Sequence, residues 1–265
     1  MAKTYEAMIK AEEEAQKKET DDRGPLHSGA PSPVGRGRST VAPGPPQGGR
    51  GRTSGEYSRL KINILSANPD AKVKTLLFSS PTGGEGASTV LTDFAILLAG
   101  QGEKVLLVDA NFRFPSLHER FRLGSENGLV ELLLRKSTLQ QVIKETGVRN
   151  LSVITSGMAD RGPSTVDDGL FDPSNLSNAL DPYLEKMKEE MDWVLFDAPP
   201  VNHFDEGLVL SGKVDGVVMV LQAEKTRWEV AQSAKKRLED SGGRILGVVL
   251  NKRRFYIPKW LYKTI

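Results

Sequence analysis

The stretch Ser79-Ser80-Pro81-Thr82-Gly83-Gly84-Glu85-Gly86-Ala87-Ser88-Thr89 constrains this chain more than any other. The apolar run Thr75–Phe78 predicts a buried strand before it, and Val90–Gly100 predicts a helix after it. Strand, glycine-rich turn and helix N-terminus together form an anion cradle, because exposed backbone N–H groups and the helix dipole both favour phosphate. The pattern G-x-x-x-x-G-K-[ST] would put glycine at Pro81 and lysine at Ala87. Gly86 and Ser88 fit; the other two positions do not. The chain keeps the shape of a nucleotide site and lacks its main mobile positive charge.

Bulk properties bound the rest. A chain of 265 residues accommodates one medium α/β domain and a tail. Its hydrophobic content of 38% is low for a compact chain and implies that part of it stays outside a core. The net charge of +2 provides no global field for nucleic acid, so no nucleic-acid partner is expected. With no cysteine, disulfides and cysteine-ligated metal are excluded, which fits a reducing compartment. The first residues hold no apolar signal core, and no apolar run approaches the roughly 20 residues that cross a bilayer. These features lead to the expectation of a soluble, cytoplasmic protein.

Three segments are predicted. Residues 1–19 place Tyr5, Met8, Ile9 and Ala15 at helical spacing, a weakly amphipathic docking helix interrupted by Glu12 that either folds against a partner or its own domain or frays. Residues 20–54 mix six prolines (Pro25, Pro31, Pro33, Pro43, Pro45 and Pro46) with glycine, serine and arginines from Arg36 to Arg52. That composition cannot offset its chain entropy by burial, so a disordered linker is expected. Residues 55–265 form the third segment. Strands are predicted at Thr75–Ser80, Lys104–Asp109, Leu151–Thr155, Trp193–Asp197, Gly216–Leu221 and Ile245–Leu250. The intervening helices are predicted at Ala87–Ala99, Gly128–Arg135, Leu176–Met191, Glu206–Ser211 and Trp228–Ser241. Short, continuously apolar strands alternating with helices specify a doubly wound, mainly parallel α/β sheet covered on both faces. Ligands of such sheets bind at the carboxyl ends of the strands.

Two further segments fall at those ends: Val105-Leu-Leu-Val-Asp109-Ala-Asn111-Phe-Arg113-Phe-Pro115 and Trp193-Val-Leu-Phe-Asp197-Ala-Pro199-Pro200. In each, an aspartate closes an apolar strand. Phosphoryl chemistry uses Mg2+, which takes hard oxygen ligands from a hydroxyl and carboxylates. Ser88, Asp109 and Asp197 would supply them from neighbouring strand ends. Taken singly, either aspartate reads as a strand-end or helix-capping residue.

These motifs resemble the cytoplasmic catalytic domain of the bacterial tyrosine kinases of capsule and exopolysaccharide systems, relatives of the MinD/ParA deviant P-loop ATPases. The matching pieces are Gly84-Glu-Gly86-x-Ser88-Thr89, Val108-Asp109-Ala-x-x-Arg113-x-Pro115-Ser-Leu-His118 and Phe196-Asp197-x-Pro199-Pro200-Val201. Val214-Asp-Gly-Val-Val218 and Gly247-Val-Val-Leu-Asn251 match as well, and the similarity runs from about Tyr57 onward. The resemblance implies a P-loop fold and ATP or ADP with Mg2+ as cofactors. It also implies phosphate contacts from Gly83, Gly84, Glu85, Gly86, Ala87, Ser88 and Thr89, and an adenine contact from Asn251. Metal ligation by Ser88, Asp109 and Asp197 follows, with Asp109, Asp197 and Arg113 as catalytic positions. The implied partner is an inner-membrane polysaccharide co-polymerase, which would hold the protein at the inner-membrane face; self-association is a second implied contact.

The departures matter equally. Ala87 replaces the loop lysine, Asn111 the second aspartate of Asp-x-Asp, and Glu206 an aspartate after the Pro-Pro turn. The family's oligomerising E-x-x-R-x-x-R helix reads Gly55, Ser58 and Lys61, and of its tyrosine-rich tail only Tyr256 and Tyr262 remain. Two functions therefore stay open: a weak or inactive kinase-like regulator of exopolysaccharide export, and an active protein-tyrosine autokinase. A MinD/ParA-type ATPase is a third, disfavoured because the early lysine of those proteins would fall at Thr82. Lys104, Arg113 or a partner's residue are the candidates to replace the missing charge. His118 reads as packing or capping, Asp167-Asp168 as a solvated loop. The run Arg253–Ile265 is basic and aromatic, read either as packing over the last strand or as a membrane-facing segment.

Overall fold

The computed structural model describes residues 54–66, 73–157 and 173–253. The expected docking helix over 1–19, the expected linker up to residue 53, Asp167-Asp168, and the tail beyond Arg253 with Tyr256 and Tyr262 lie outside them.

Seven strands form one sheet: β1 (Thr75–Ser79), β2 (Val105–Asp109), β3 (Ile143–Glu145), β4 (Leu151–Ile154), β5 (Trp193–Asp197), β6 (Gly216–Gln222) and β7 (Ile245–Asn251). Their order across the sheet is β3-β4-β2-β5-β1-β6-β7, and every pairing is parallel except β3 with β4. The six predicted strands are present with ends shifted by one residue at most. The antiparallel β3 has no prediction; its three residues, Ile-Lys-Glu, give too short a pattern to read.

Period-2 alternation divides the strands between two cores. On one face Leu76, Phe78, Leu107, Trp193, Leu195, Val218 and Val220 pack with α1 (Ser54–Ser66), α2 (Ala87–Gly100) and α3 (Leu117–Phe121). On the other face Leu77, Leu106, Val108, Val194, Phe196, Val217 and Met219 pack with α4 (Leu129–Leu133), α5 (Leu139–Val142), α6 (Pro173–Glu190), α7 (Glu206–Ser211) and α8 (Trp228–Asp240). Each fully buried Leu, Val or Phe contributes about 1.5–3 kcal/mol, which explains why these strands are apolar throughout rather than alternating.

α1 starts at Ser54 and docks through Tyr57, Leu60 and Ile64, all buried. The Tyr57 hydroxyl donates to Asp93 Oδ2 at 3.0 Å, and Lys61 pairs with Glu103 at 2.8 Å. Position 61 of the altered helix motif thus serves a contact within the domain.

The chain leaves β1 toward β2 and leaves β5 in the opposite direction toward β6, so the sheet reverses its winding between β1 and β5. That reversal opens a crevice at the carboxyl ends of β1, β5 and β2.

Candidate nucleotide-binding site

The glycine-rich loop follows β1 and is braced from beneath. Ser79 Oγ donates to the Pro199 carbonyl at 2.7 Å, the Val201 amide to the Ser80 carbonyl at 3.0 Å, and Ser80 Oγ to the Thr82 carbonyl at 2.8 Å. Glu85 is buried; its carboxylate accepts the Thr82 amide at 3.3 Å and the Thr226 hydroxyl, so its charge is turned into the loop. Gly84 and Gly86 have φ of 76° and 91°, a left-handed region that glycine enters without penalty. At Gly86 the need is double, because a Cβ there would collide with Asn251 Nδ2.

The end of β7 closes the loop from outside. Asn251 Nδ2 donates to the Glu85 carbonyl at 2.9 Å, and Lys252 Nζ to the Gly84 carbonyl at 2.7 Å. Helix α2 then begins, its first bond running from the Val90 amide to the Gly86 carbonyl at 3.0 Å. The amides of Ala87, Ser88 and Thr89 precede that bond, as the first turn of any helix requires, and its positive end meets the crevice. The Ala87 methyl packs into the core beneath α2.

The two aspartates are register partners on β2 and β5. Asp109 Oδ2 accepts the amides of Ser116 and Leu117, each at 3.0 Å, and Oδ1 accepts that of Asn111 at 3.2 Å. Asp109 thereby builds the turn into α3. Neither oxygen of Asp197 finds a hydrogen-bond partner of sound geometry among the described residues. Burial raises both carboxyl groups, Asp109 to about 6 against its three amides and Asp197 to about 8. At Asp197 the neighbouring Asp109 charge raises it further, while the nearby Ser88 hydroxyl and Arg120 guanidinium pull it down.

A buried carboxylate with two unsatisfied oxygens next to a serine hydroxyl fits a hard divalent cation. Among the described residues no group of three His, Cys, Asp or Glu side chains could hold a metal alone. Mg2+ does not require one, since it commonly uses one or two carboxylates plus phosphate oxygens and water.

The remaining expected residues fall elsewhere. Arg113 is engaged by Glu206, with Nε and Nη2 each 2.9 Å from Oε1, and its guanidinium lies 5.3 Å from the centroid of Phe204. It ties the β2 turn to α7 instead of facing the aspartates. Lys104 precedes β2, at the strand's amino end, with its amide donated to Asp192. That end is the opposite one from the crevice, which removes Lys104 as a replacement for the loop lysine. His118 keeps its Nδ1 buried and unpaired among the described residues, beside the α3 turn.

Three contributors escaped the sequence motifs: Thr226, Lys252 and Arg120. Lys252 directly follows Asn251 and needed only its left-handed φ of 54° to turn back onto the loop. Arg120 Nη2 donates to Thr89 Oγ1 at 2.7 Å; its signal was its place between Leu117 and Phe121, both buried under α2.

Crevice, loop and paired aspartates define an α/β protein of the P-loop NTPase type. Residues 73–232 match the family described as AAA domain (AAA_31). Tyrosine-protein kinase YwqD of Bacillus subtilis is 32% identical over 201 residues, covering 76% of this chain and 81% of that protein. The crystal structure of the chimeric protein CapA2B2 superposes with a TM-score of 0.67 at 32% identity, covering 78% of this chain and 87% of the other. The septum site-determining protein MinD from Pyrococcus horikoshii, complexed with Mg-ADP, shares the fold at a TM-score of 0.57 and 22% identity, covering 72% of this chain and 76% of the other. The chain belongs to the bacterial tyrosine kinase family of capsule and exopolysaccharide type. No helix of the described residues is long and apolar enough to cross a membrane.

Proposed function

We propose that this protein binds ATP or ADP with Mg2+ and acts as a regulatory partner of an inner-membrane polysaccharide co-polymerase, with phosphoryl transfer weak or absent. The observation that carries this is Ala87, a methyl group at the lysine position of an otherwise formed cradle. Losing a charged contact to phosphate typically costs about 1.5–3 kcal/mol of binding. Losing one that acts on developing charge costs about 10²–10³ in rate.

In this proposal the backbone of Gly83, Gly84, Glu85 and Gly86 and the first-turn amides of Ala87, Ser88 and Thr89 surround the phosphates. Ser88 and Asp197 hold Mg2+, Asp109 fixes the neighbouring turn and lends negative charge, and Arg113 ties that turn to α7. Asn251, whose side chain closes the loop at Glu85, would contact the adenine base. When bound, Mg2+ would neutralise phosphate charge. YwqD is named a tyrosine-protein kinase, and the MinD structure of the same fold holds Mg-ADP; both support a nucleotide ligand. The co-polymerase partner and the membrane-face location are carried over from the family resemblance.

The alternative is an active tyrosine autokinase, which would need a cation other than the missing lysine at the loop; Arg120 stands at Thr89. Incubation of the purified chain with ATP and Mg2+ separates the two. Little phosphotyrosine at Tyr256 or Tyr262, with a gain on Ala87→Lys, supports the regulator. Strong labelling of the unaltered chain overturns it.

A further inference from the structure

Arg113, Arg120 and Arg237 sit on three different elements, and they differ in one respect. Arg113 is paired with Glu206, and Arg237 of α8 with Asp205 at 2.7 Å. Arg120 closes no salt bridge among the described residues. Its Nη2 is fixed on Thr89 Oγ1, and its Nε is buried without a hydrogen-bond partner.

That position is electrostatically expensive. The guanidinium stands at the first turn of the 14-residue helix α2, where the dipole already gathers positive charge. The nearby Asp197 is fully buried and has both oxygens unsatisfied among the described residues. A half-buried cation at a positive helix end, with an unused donor, is set to receive an anion.

We propose that Arg120 supplies from α3 the positive charge that position 87 lacks, and that it holds the phosphates of a nucleotide seated in the loop. The proposal rests on the nucleotide reading above and adds the residue that makes occupancy possible without the lysine. The substitution is not equivalent. The family's lysine would extend from residue 87, whereas this guanidinium enters beside Thr89 as a rigid planar fork. A fork fixed on Thr89 suits holding phosphates more than following a group in transfer, which matches occupancy with poor catalysis.

The test is a calorimetric titration of Mg-ADP into the full chain and its variants, with thermal unfolding to verify folding. Arg120→Ala should weaken binding by about 10- to 100-fold. Arg120→Gln keeps a donor for Thr89, removes only the charge, and serves if Arg120→Ala fails to fold; it should lose affinity similarly. Adding Ala87→Lys to Arg120→Gln should improve binding by a larger factor than Ala87→Lys does in the unaltered chain, a non-additivity that a merely structural role for Arg120 does not produce. Variants that bind within about twofold of the unaltered chain overturn the role of Arg120 and leave the nucleotide reading standing. An unaltered chain that does not bind, while Ala87→Lys does, overturns the Arg120 proposal. Failure of both overturns the nucleotide reading and the Arg120 proposal with it.

Discussion

Asp109 and Asp197 stand opposite each other on neighbouring parallel strands, yet only the first has its oxygens satisfied by the protein. Asp109 spends its hydrogen-bonding capacity on the turn into α3, and Asp197 is left bare beneath the helix that opens the loop. The pair divides the work: one carboxylate organises the crevice and the other waits for a cation.

The bare carboxylate costs stability when the site is empty. Burial and the Asp109 charge raise Asp197 from 3.8 to about 8, so the folded state holds a proton that the unfolded state has released. Where the folded state binds more protons, stability falls with rising pH. The ligand-free protein should therefore lose stability steadily between about pH 4 and pH 8, and Asp197→Asn should flatten that fall. At pH 8 the variant should be more stable by on the order of 2 kcal/mol. Thermal midpoints measured across this pH range check it; parallel profiles for the two proteins contradict it.

Proton and Mg2+ compete for the same oxygens. Mg2+-dependent nucleotide affinity should therefore increase as pH rises from about 6 to about 8, following the raised carboxyl groups. Nucleotide binding measured with excess EDTA should lose both its strength and its pH slope. A pH-independent difference between the Mg2+ and EDTA series rules out Asp197 as the metal ligand.

Gly86→Ala tests the loop. The residue has a φ of 91° and its Cβ would strike the Asn251 amide, so strain and collision add. A loss of about 1–3 kcal/mol in stability is expected, together with loss of nucleotide binding. Asn251→Ala in the same background should recover part of the stability by removing the struck group. No recovery means that the Asn251 contact is not what confines the glycine.

Arg113→Ala leaves Glu206 as a buried carboxylate without its cation. The expected cost is about 2–4 kcal/mol, read by denaturant unfolding. Glu206→Gln combined with Arg113→Ala should regain most of it, since the stranded charge is then gone. If the double variant is as unstable as the single one, the pairing has little to do with stability.

Most of the fold could be read because each element carries its own signal. β5 and α7 match their predicted spans residue for residue, and the strands that feed the crevice are apolar runs ending in Ser79, Asp109 and Asp197. α3 was missed because five residues give little more than one turn of pattern; it is held by Leu117 and Phe121 docking under α2 and by the Asp109 cap. The same gap hid Arg120, whose importance depends on which helix its own helix leans against. Lys104 misled in the opposite sense: a lysine adjoining β2 looked available, but it adjoins the strand's amino end, the wrong end for ligand. Lys252 could be seen only once β7 was placed at the sheet edge beside β6, with its end curling over Gly84.

The most direct measurement is calorimetric titration of Mg-ADP into the unaltered chain alongside Ala87→Lys. A saturable isotherm near one nucleotide per chain is predicted, weaker than that of Ala87→Lys by about 10- to 100-fold. Absence of saturable binding up to about 1 mM in the unaltered chain, with Ala87→Lys binding well, would contradict the claim that this cradle seats a nucleotide without its lysine.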